Sequence, residues 1–442
     1  MNTWNRLGAM LATTIACAWL AASPGRAATP RPLTLAEALV MAQRNDLGVV
    51  RADGGAQNAR ASVRSAWGAF LPNLNVSAGT TKQLTGAGST RVENGQVVIT
   101  SRQPWSTNLG ASASLTLFDG GQRFFDMGQA RANRVAAEVD AATARWQAAL
   151  NTKQAFFNVL AARETQLAAA AQLEQAERQR IDAFARTHAK AATRSDSLRA
   201  EISVRNAQLA VTQAAMDLAS ADAALGRAVG SLEPVTAATG DSLGTTGLAL
   251  EDSTLAQLVE DAPSVRAARA MRDAAREARK GAWSTYLPSV TASWSRAGNG
   301  TGDGPAWDPA TLDYSGSLRF GLSFPLFDQF GREAQLTQTA VAVRDAEASL
   351  RDARLAARQS LTDGLGGFRE ASQRVASEVA TVEAADEDLR VQRDRYSLGG
   401  STLLDVLSSQ AALDQARRDL IRARYDQRVA KAQLEALVGR DL

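Results

Sequence analysis

Tyr314-Ser-Gly-Ser-Leu-Arg-Phe-Gly-Leu-Ser-Phe-Pro-Leu326 alternates from end to end. Tyr314, Gly316, Leu318, Phe320, Leu322, Phe324 and Leu326 share one side; Ser315, Ser317, Arg319, Gly321 and Ser323 share the other. A period of two belongs to a β-strand with one apolar and one polar face. Asn108 to Leu117 behaves the same way, with Leu109, Ala111, Ala113, Leu115 and Leu117 opposite Asn108, Gly110, Ser112, Ser114 and Thr116. Shorter copies follow two Leu-Pro pairs: Leu74, Val76 and Ala78 against Asn73, Asn75 and Ser77, then Val290, Ala292 and Trp294 against Ser289, Thr291 and Ser293.

A tilted strand of about 9–11 residues crosses the hydrocarbon of a membrane, apolar side chains toward lipid and polar ones toward a lumen. The connections 80–107 and 296–313 are polar and Gly-rich, as exposed loops are. Trp105, Trp307 and Tyr314 fall at that end, and Phe70, Phe118, Tyr286 and Phe327 at the other, like two interfacial girdles. The competing interpretation is a pair of soluble hairpins half buried against helices. Four strands cannot close a barrel, and lipid tolerates no open edge. Two copies would give eight strands and a filled interior; three would give twelve and an aqueous lumen.

The chain repeats itself. Leu117-Phe-Asp119 matches Leu326-Phe-Asp328 at an offset of 209, which also pairs Arg123 with Arg332, Arg186 with Arg395, Asp196 with Asp405, and Val229-Gly230 with Val438-Gly439. Upstream, Trp67-Gly-Ala-Phe-Leu-Pro72 resembles Trp283-Ser-Thr-Tyr-Leu-Pro288 at an offset of 216, so a loop between these landmarks changed length. Each half predicts helix, strand, strand, long helix, helix. Thr34 and Glu37 fit a capping box opening a helix that runs to about Phe70. Residues 122–186 lack proline and carry apolar or Ala positions at helical spacing. A helix over 195–229 follows, and the second half repeats the pattern at 253–286, 331–396 and 403–438. This organisation implies a signal at 1–27, a first repeat over 28–230 with strands within 73–118, an equatorial linker at 231–250, and a second repeat over 251–442 with strands within 289–327.

Lys plus Arg number 49 and Asp plus Glu 46, a balance that gives no reason to expect nucleic acid. Arg6, the apolar run Leu7 to Ala22, the breakers Ser23-Pro-Gly25 and the small residues Ala27 and Ala28 make an export signal. Cys17, the only cysteine, leaves with that signal; the alternative is lipid attachment to it. No later segment is a continuous apolar run near twenty residues. Nothing suggests catalysis or a cofactor. His188 is the only histidine and has no His or Cys partner for a metal, and neither Gly120-Gly121 nor Gly366-Gly367 precedes the Lys-Ser/Thr of a phosphate loop.

Taken together and in order, Leu33-Thr-Leu-Ala-Glu-Ala-Leu39, the Leu-Pro junctions, Leu117-Phe-Asp-Gly-Gly121, Arg395-Tyr-Ser-Leu-Gly-Gly-Ser-Thr-Leu-Leu-Asp405 and the two Val-Gly ends resemble the TolC family of outer-membrane efflux proteins. The resemblance implies a chain that is mainly α with a transmembrane β-barrel contribution, assembled as a homotrimeric α-helical tunnel plus a twelve-stranded barrel. It implies export of small molecules or proteins through the outer membrane, with the helices in the periplasm. The implied partners are outer-membrane lipid, a periplasmic adaptor protein and an inner-membrane pump. The hairpin tips near 187–193 and 396–402 would form the entrance. Asp405, Tyr396 and Asp196 would belong to the constriction, and Arg395, Leu398, Gly399, Arg186 and Lys190 to the adaptor-docking tips. Three departures stand out: Ala189-Lys190 replaces Leu-Gly at the first tip, Ser401 replaces a basic latch partner, and Ser408 replaces a second ring aspartate. The alternative function is a periplasmic coiled-coil adaptor or structural protein without a pore.

Overall fold

The computed structural model describes residues 30–84, 89–93, 95–100, 105–238, 247, 252–305 and 307–442. The expected signal at 1–27, with Cys17, lies outside the described residues, as do 239–246 and 248–250 of the expected linker.

Helices dominate. Two of them, α3 (Gln122–His188) and α7 (Gly331–Ser397), have 67 residues each, a rise of about 100 Å. Each turns back into a 36-residue partner, α4 (Arg194–Val229) and α8 (Leu403–Val438). The shorter helices are α1 (Leu35–Asn45), α2 (Leu47–Gly68), α5 (Asp252–Val259) and α6 (Pro263–Ser284). Buried Ala169, Ala176 and Ala183 on α3 face buried Ala200, Ala207 and Ala214 on α4. That seven-residue spacing keeps one seam in contact as two helices supercoil, and Ala lets the backbones approach closely. Ser409, Ala416 and Ala423 on α8 are the equivalents of the α4 set, and all three are buried.

The strands are β1 (Arg31–Leu33), β2 (Asn73–Lys82), β3 (Ser89–Glu93), β4 (Gln96–Thr100), β5 (Trp105–Phe118), β6 (Val235–Ala237), β7 (Ser289–Gly302) and β8 (Asp313–Ser323). Four of them form one antiparallel sheet in the order β2-β5-β7-β8. Helix α2 leads into β2, β5 into α3, α6 into β7, and β8 into α7. Next to the sheet the helices pack in the matching order, α2 on α3, α3 on α6 and α6 on α7. Farther away α4 takes the place of α2 and α8 that of α6, giving α4-α3-α8-α7. Sheet and helices are therefore one continuous wall, four elements wide at every level.

The wall is thickest at its middle. There β1 and β6 pair in parallel, and Leu33, Phe156, Val159, Leu225 and Val229 are almost wholly buried. A second cluster gathers Leu255, Val259, Val265, Leu361, Leu365, Leu434 and Val438. Each such side chain contributes about 1.5–3 kcal/mol by leaving water.

The structure corrects several sequence expectations. The helix expected over 34–70 breaks at Asp46, whose carboxylate accepts from Val49 N at 3.1 Å and so starts α2 afresh. The helix expected over 253–286 breaks before Pro263, which cannot supply the N–H that continuity needs. Strand β8 stops at Ser323, although the alternation runs on to Leu326; Pro325 has no N–H for the ladder. The loop expected over 80–107 holds the hairpin β3–β4, and the loop expected over 296–313 shortens because β7 continues to Gly302.

One carboxylate inside the helical wall has a measurable consequence. Asp414 on α8 is 8% exposed. Its Oδ1 accepts from Gln410 Nε2 at 2.8 Å, Gln410 Oε1 accepts in turn from Arg393 at 2.9 Å and from Gln175, and Asp414 Oδ2 has no partner. Burial pushes its pKa up, with the Gln410 hydrogen bond acting in the opposite direction. An acid whose pKa is higher folded than unfolded destabilises the fold once pH exceeds its unfolded value, about 3.9, because the buried form must ionise. Asp414→Asn removes that cost. Its melting temperature in detergent is expected to exceed wild type by a few degrees at pH 7.5, with the gain vanishing below about pH 4. A lowered melting temperature at pH 7.5 would show instead that the charge itself is stabilising.

Candidate functional site

The α3–α4 and α7–α8 hairpins end in tips of the same backbone design. At the first, Ala191 N donates to Arg186 O at 2.8 Å and Lys190 has φ 59°. At the second, Gly400 N donates to Arg395 O at 2.7 Å and Gly399 has φ 75°. Lys190 and Gly399 are equivalent under the 209 offset. The Ala-Lys departure at the first tip therefore changes side-chain chemistry and leaves the turn intact. A left-handed lysine costs about 1–2 kcal/mol that glycine avoids. Leu398 is 87% exposed, and Arg395 donates to Gly400 O at 3.3 Å.

Each tip then opens its return helix with a capping box. Asp196 accepts from Thr193 N at 2.9 Å and Thr193 Oγ1 at 2.8 Å, while Asp196 N donates back to Thr193 Oγ1 at 3.3 Å. Asp405 does the same with Thr402 N and Oγ1, both at 2.8 Å. Those bonds to Thr402, backbone first, hold the Asp405 carboxyl below its ordinary range, with Arg395 adding to the effect. Within the chain, neither acid reaches across to the other hairpin. Beside them Arg186 reaches across to the second hairpin, its guanidinium 4.8 Å from the Tyr396 ring centre. Tyr396 also packs on both apolar clusters of the tips, Ala183–Ala200–Leu403 and Leu389–Val406–Leu413. The Thr-x-x-Asp spacing was visible in both halves and signals a cap; the Arg186–Tyr396 contact joins residues 210 positions apart and left no local signal.

The far end of the wall is a two-faced sheet. One row across all four strands reads Asn75, Ser112, Ser295, Ser317, and the next reads Leu74, Ala113, Trp294, Leu318 on the opposite face. Ser295 and Ser317 hydroxyls lie 3.0 Å apart. The apolar face is uncovered: Val76 is 76% exposed, Phe320 67% and Leu322 73%. That disposes of hairpins half buried on helices.

Sheet and helices meet at two like clamps. Arg123 donates from Nε to Asp119 at 2.7 Å and from Nη2 to Leu117 O at 3.3 Å, 5.1 Å from the Phe70 ring centre. Arg332 pairs with Asp328 at 3.3 Å, donates to Leu326 O at 3.3 Å and lies 4.8 Å from the Tyr286 ring centre. The Leu-Phe-Asp repeats are thus the turns that convert strand into helix. Among the described residues no group of three His, Cys, Asp or Glu could hold a metal ion, and no helix is long and apolar enough to cross a membrane.

Comparison with known proteins agrees with this architecture. The chain is 27% identical to protein CyaE of Bordetella pertussis over 363 residues, 79% of this chain and 72% of that protein. It shares its fold with the outer membrane protein VceC of Vibrio cholerae (TM-score 0.74, 18% identity, 92% of this chain and 96% of that one). It does so too with the CmeC outer membrane channel of Campylobacter jejuni (TM-score 0.76, 16% identity, 92% and 85%). The sequence profile described as outer membrane efflux protein matches residues 38–231 and 254–440. A wall of amphipathic strands running into paired long helices, matched over most of its length by that profile, belongs to the outer membrane efflux protein family, and the chain is an export channel-tunnel protein of the outer membrane, built for transport and not for catalysis.

Proposed function

We propose that three copies of the chain close into one conduit, a twelve-stranded barrel continued by a tunnel of long helices in the periplasm. The observation that carries this is the pair of matching free edges. β2 and β8 end the sheet, α2 and α4 border the helical wall beside β2, and α7 borders it beside β8. Lipid leaves no route but pairing for the outer backbone groups of β2 and β8, so β2 of one copy meets β8 of the next. The same rotation brings α4 against a neighbouring α7. Leu198, Ile202, Leu209 and Met216 on α4 are each more than half exposed and spaced as a helical seam, a surface suited to that contact. Three copies are the fewest that leave an aqueous lumen. Residues 1–27 serve as the export signal, and the two repeats with their equatorial linker form the mature chain.

In this assembly the hairpin tips form the periplasmic entrance, with Asp405, Tyr396 and Asp196 near its constriction. Arg186, Lys190, Arg395, Leu398 and Gly399 present the surface on which a periplasmic adaptor docks, and an inner-membrane pump delivers the cargo through it. No observation favours the pore-less coiled-coil alternative.

Mass measurement of the detergent-extracted protein is expected to give a trimer; a monomer or dimer would defeat the closure argument. Planar-bilayer recording tests the constriction. Three Asp405 carboxylates around one axis would favour cations and be bridged by multivalent ones. Asp405→Asn keeps an acceptor for Thr402 N and removes the charge. It is expected to lower cation preference and multivalent block severalfold. Wild-type selectivity and block in that variant would leave Asp405 a helix cap alone.

A further inference from the structure

The apolar face of the sheet carries two cations. On β2 the residues Leu74, Val76, Ala78, Thr80 and Lys82 share that face; on β7 it is Val290, Ala292, Trp294 and Arg296. A lone basic residue on a lipid-facing surface is costly near the membrane midplane and nearly neutral at its boundary. Both cations lie toward the loop end, away from the helices, and both lean on an aromatic ring. Arg296 lies 4.9 Å from the Tyr314 ring centre, and Lys82 lies 5.3 Å from that of Trp105. Tyr314 belongs to the same face, and its ring lies flat over Gly298, where a Cβ would come within 2.7 Å of it. The absent side chain at Gly298 gives the ring its bed, and the ring carries the guanidinium toward the membrane boundary, as snorkelling requires. Trp105 is the cross-strand partner of Lys82, so each cation has its ring on a neighbouring strand. Among the described residues, neither Lys82 nor Arg296 pairs with a carboxylate, and both are exposed.

We propose that this rim is a binding surface for phosphate-bearing anionic lipid headgroups of the outer leaflet, with Arg296 and Lys82 as the two contacts on each chain. The inference rests on the barrel assignment, which puts this face in lipid. Guanidinium offers a fork of donors that matches phosphate oxygens, and the ring beneath holds that fork in place while leaving its outer edge free. Lys82 stands three strand positions of the same face beyond Arg296, about 20 Å along the strands and less in height once they tilt. The two cations are therefore separate contacts along the rim, each placed to meet a phosphate of its own. Surface basic residues each strengthen association with anionic lipid about fivefold.

The test uses the full-length trimer in nanodiscs made of zwitterionic lipid with a minor fraction of diphosphorylated lipid A, or of zwitterionic lipid alone. Native mass spectrometry counts lipids retained per trimer, and inorganic phosphate is added as competitor. Wild type is expected to retain lipid A preferentially, and excess inorganic phosphate is expected not to displace it. Arg296→Gln and Lys82→Gln should each weaken retention about fivefold, and the double variant more. Arg319→Gln, on the polar face, is the control and should retain lipid as wild type does. Equal retention in wild type and the double variant, with the trimer and barrel intact, would overturn the proposal alone. Displacement by inorganic phosphate would also overturn it, because the site would then be an anion site and not a headgroup site. Loss caused by Arg319→Gln and not by Arg296→Gln would reverse the faces and sink the barrel assignment with it.

Discussion

A polypeptide in hydrocarbon must hydrogen-bond to itself, because nothing else there accepts its N–H groups or donates to its carbonyls. That one constraint orders the rest of the molecule. In the barrel proposed here it leaves no strand unpaired, and β5 and β7, from different halves of the chain, pair from Trp105–Gly302 down to Phe118–Val290, joining the two repeats into one sheet. Because every strand of that sheet is covalently continuous with a helix, the strand order is handed on to the helices. The matching sequence of helices α2, α3, α6 and α7 follows from the sheet, and the substitution of α4 and α8 farther down keeps the width constant.

The duplication preserved backbone shape more strictly than residue type. Among the described residues, three that are not glycine have positive φ: Lys190, Gln329 and Phe330. Each has a glycine at the equivalent place in the other half, Gly399, Gly120 and Gly121, and all three of those have positive φ as well. The turns that end a strand or a hairpin are therefore fixed by their surroundings and tolerate the wrong residue at a cost of about 1–2 kcal/mol each. At the strand-to-helix turns the Asp119–Arg123 and Asp328–Arg332 clamps supply that surrounding constraint, tying each turn to a carbonyl and an aromatic ring.

The periodic parts of the fold were legible in the sequence because a two-faced strand and a seven-residue seam each impose a regular pattern. Residues 331–396 and 403–438 were expected as helices, and the structure has 331–397 and 403–438. Breaks inside helical stretches were not legible: Asp46 caps a new helix within a run whose pattern barely changes. The three-residue strands β1 and β6 are too short to show a period, and their pairing joins residues some 200 positions apart. At the tips the residues were found through the repeat, but their bonds were not. Asp196 and Asp405 looked like members of a ring or latch, while within the chain each first serves the helix that it opens. A capping role and a ring role are compatible, since the cap engages one face of the carboxylate and leaves the other to solvent.

The shared design of the two tips bears on the stoichiometry of any ring built from this chain. Three copies carry six hairpin ends, alike in backbone and alternating in side chain: Ala189-Lys190, then Leu398-Gly399. To a partner that touches only main chain, such a ring has pseudo-sixfold symmetry and six equal seats. To a partner that reads side chains it has three seats of one kind and three of another, so one partner species can occupy neighbouring seats with different affinity.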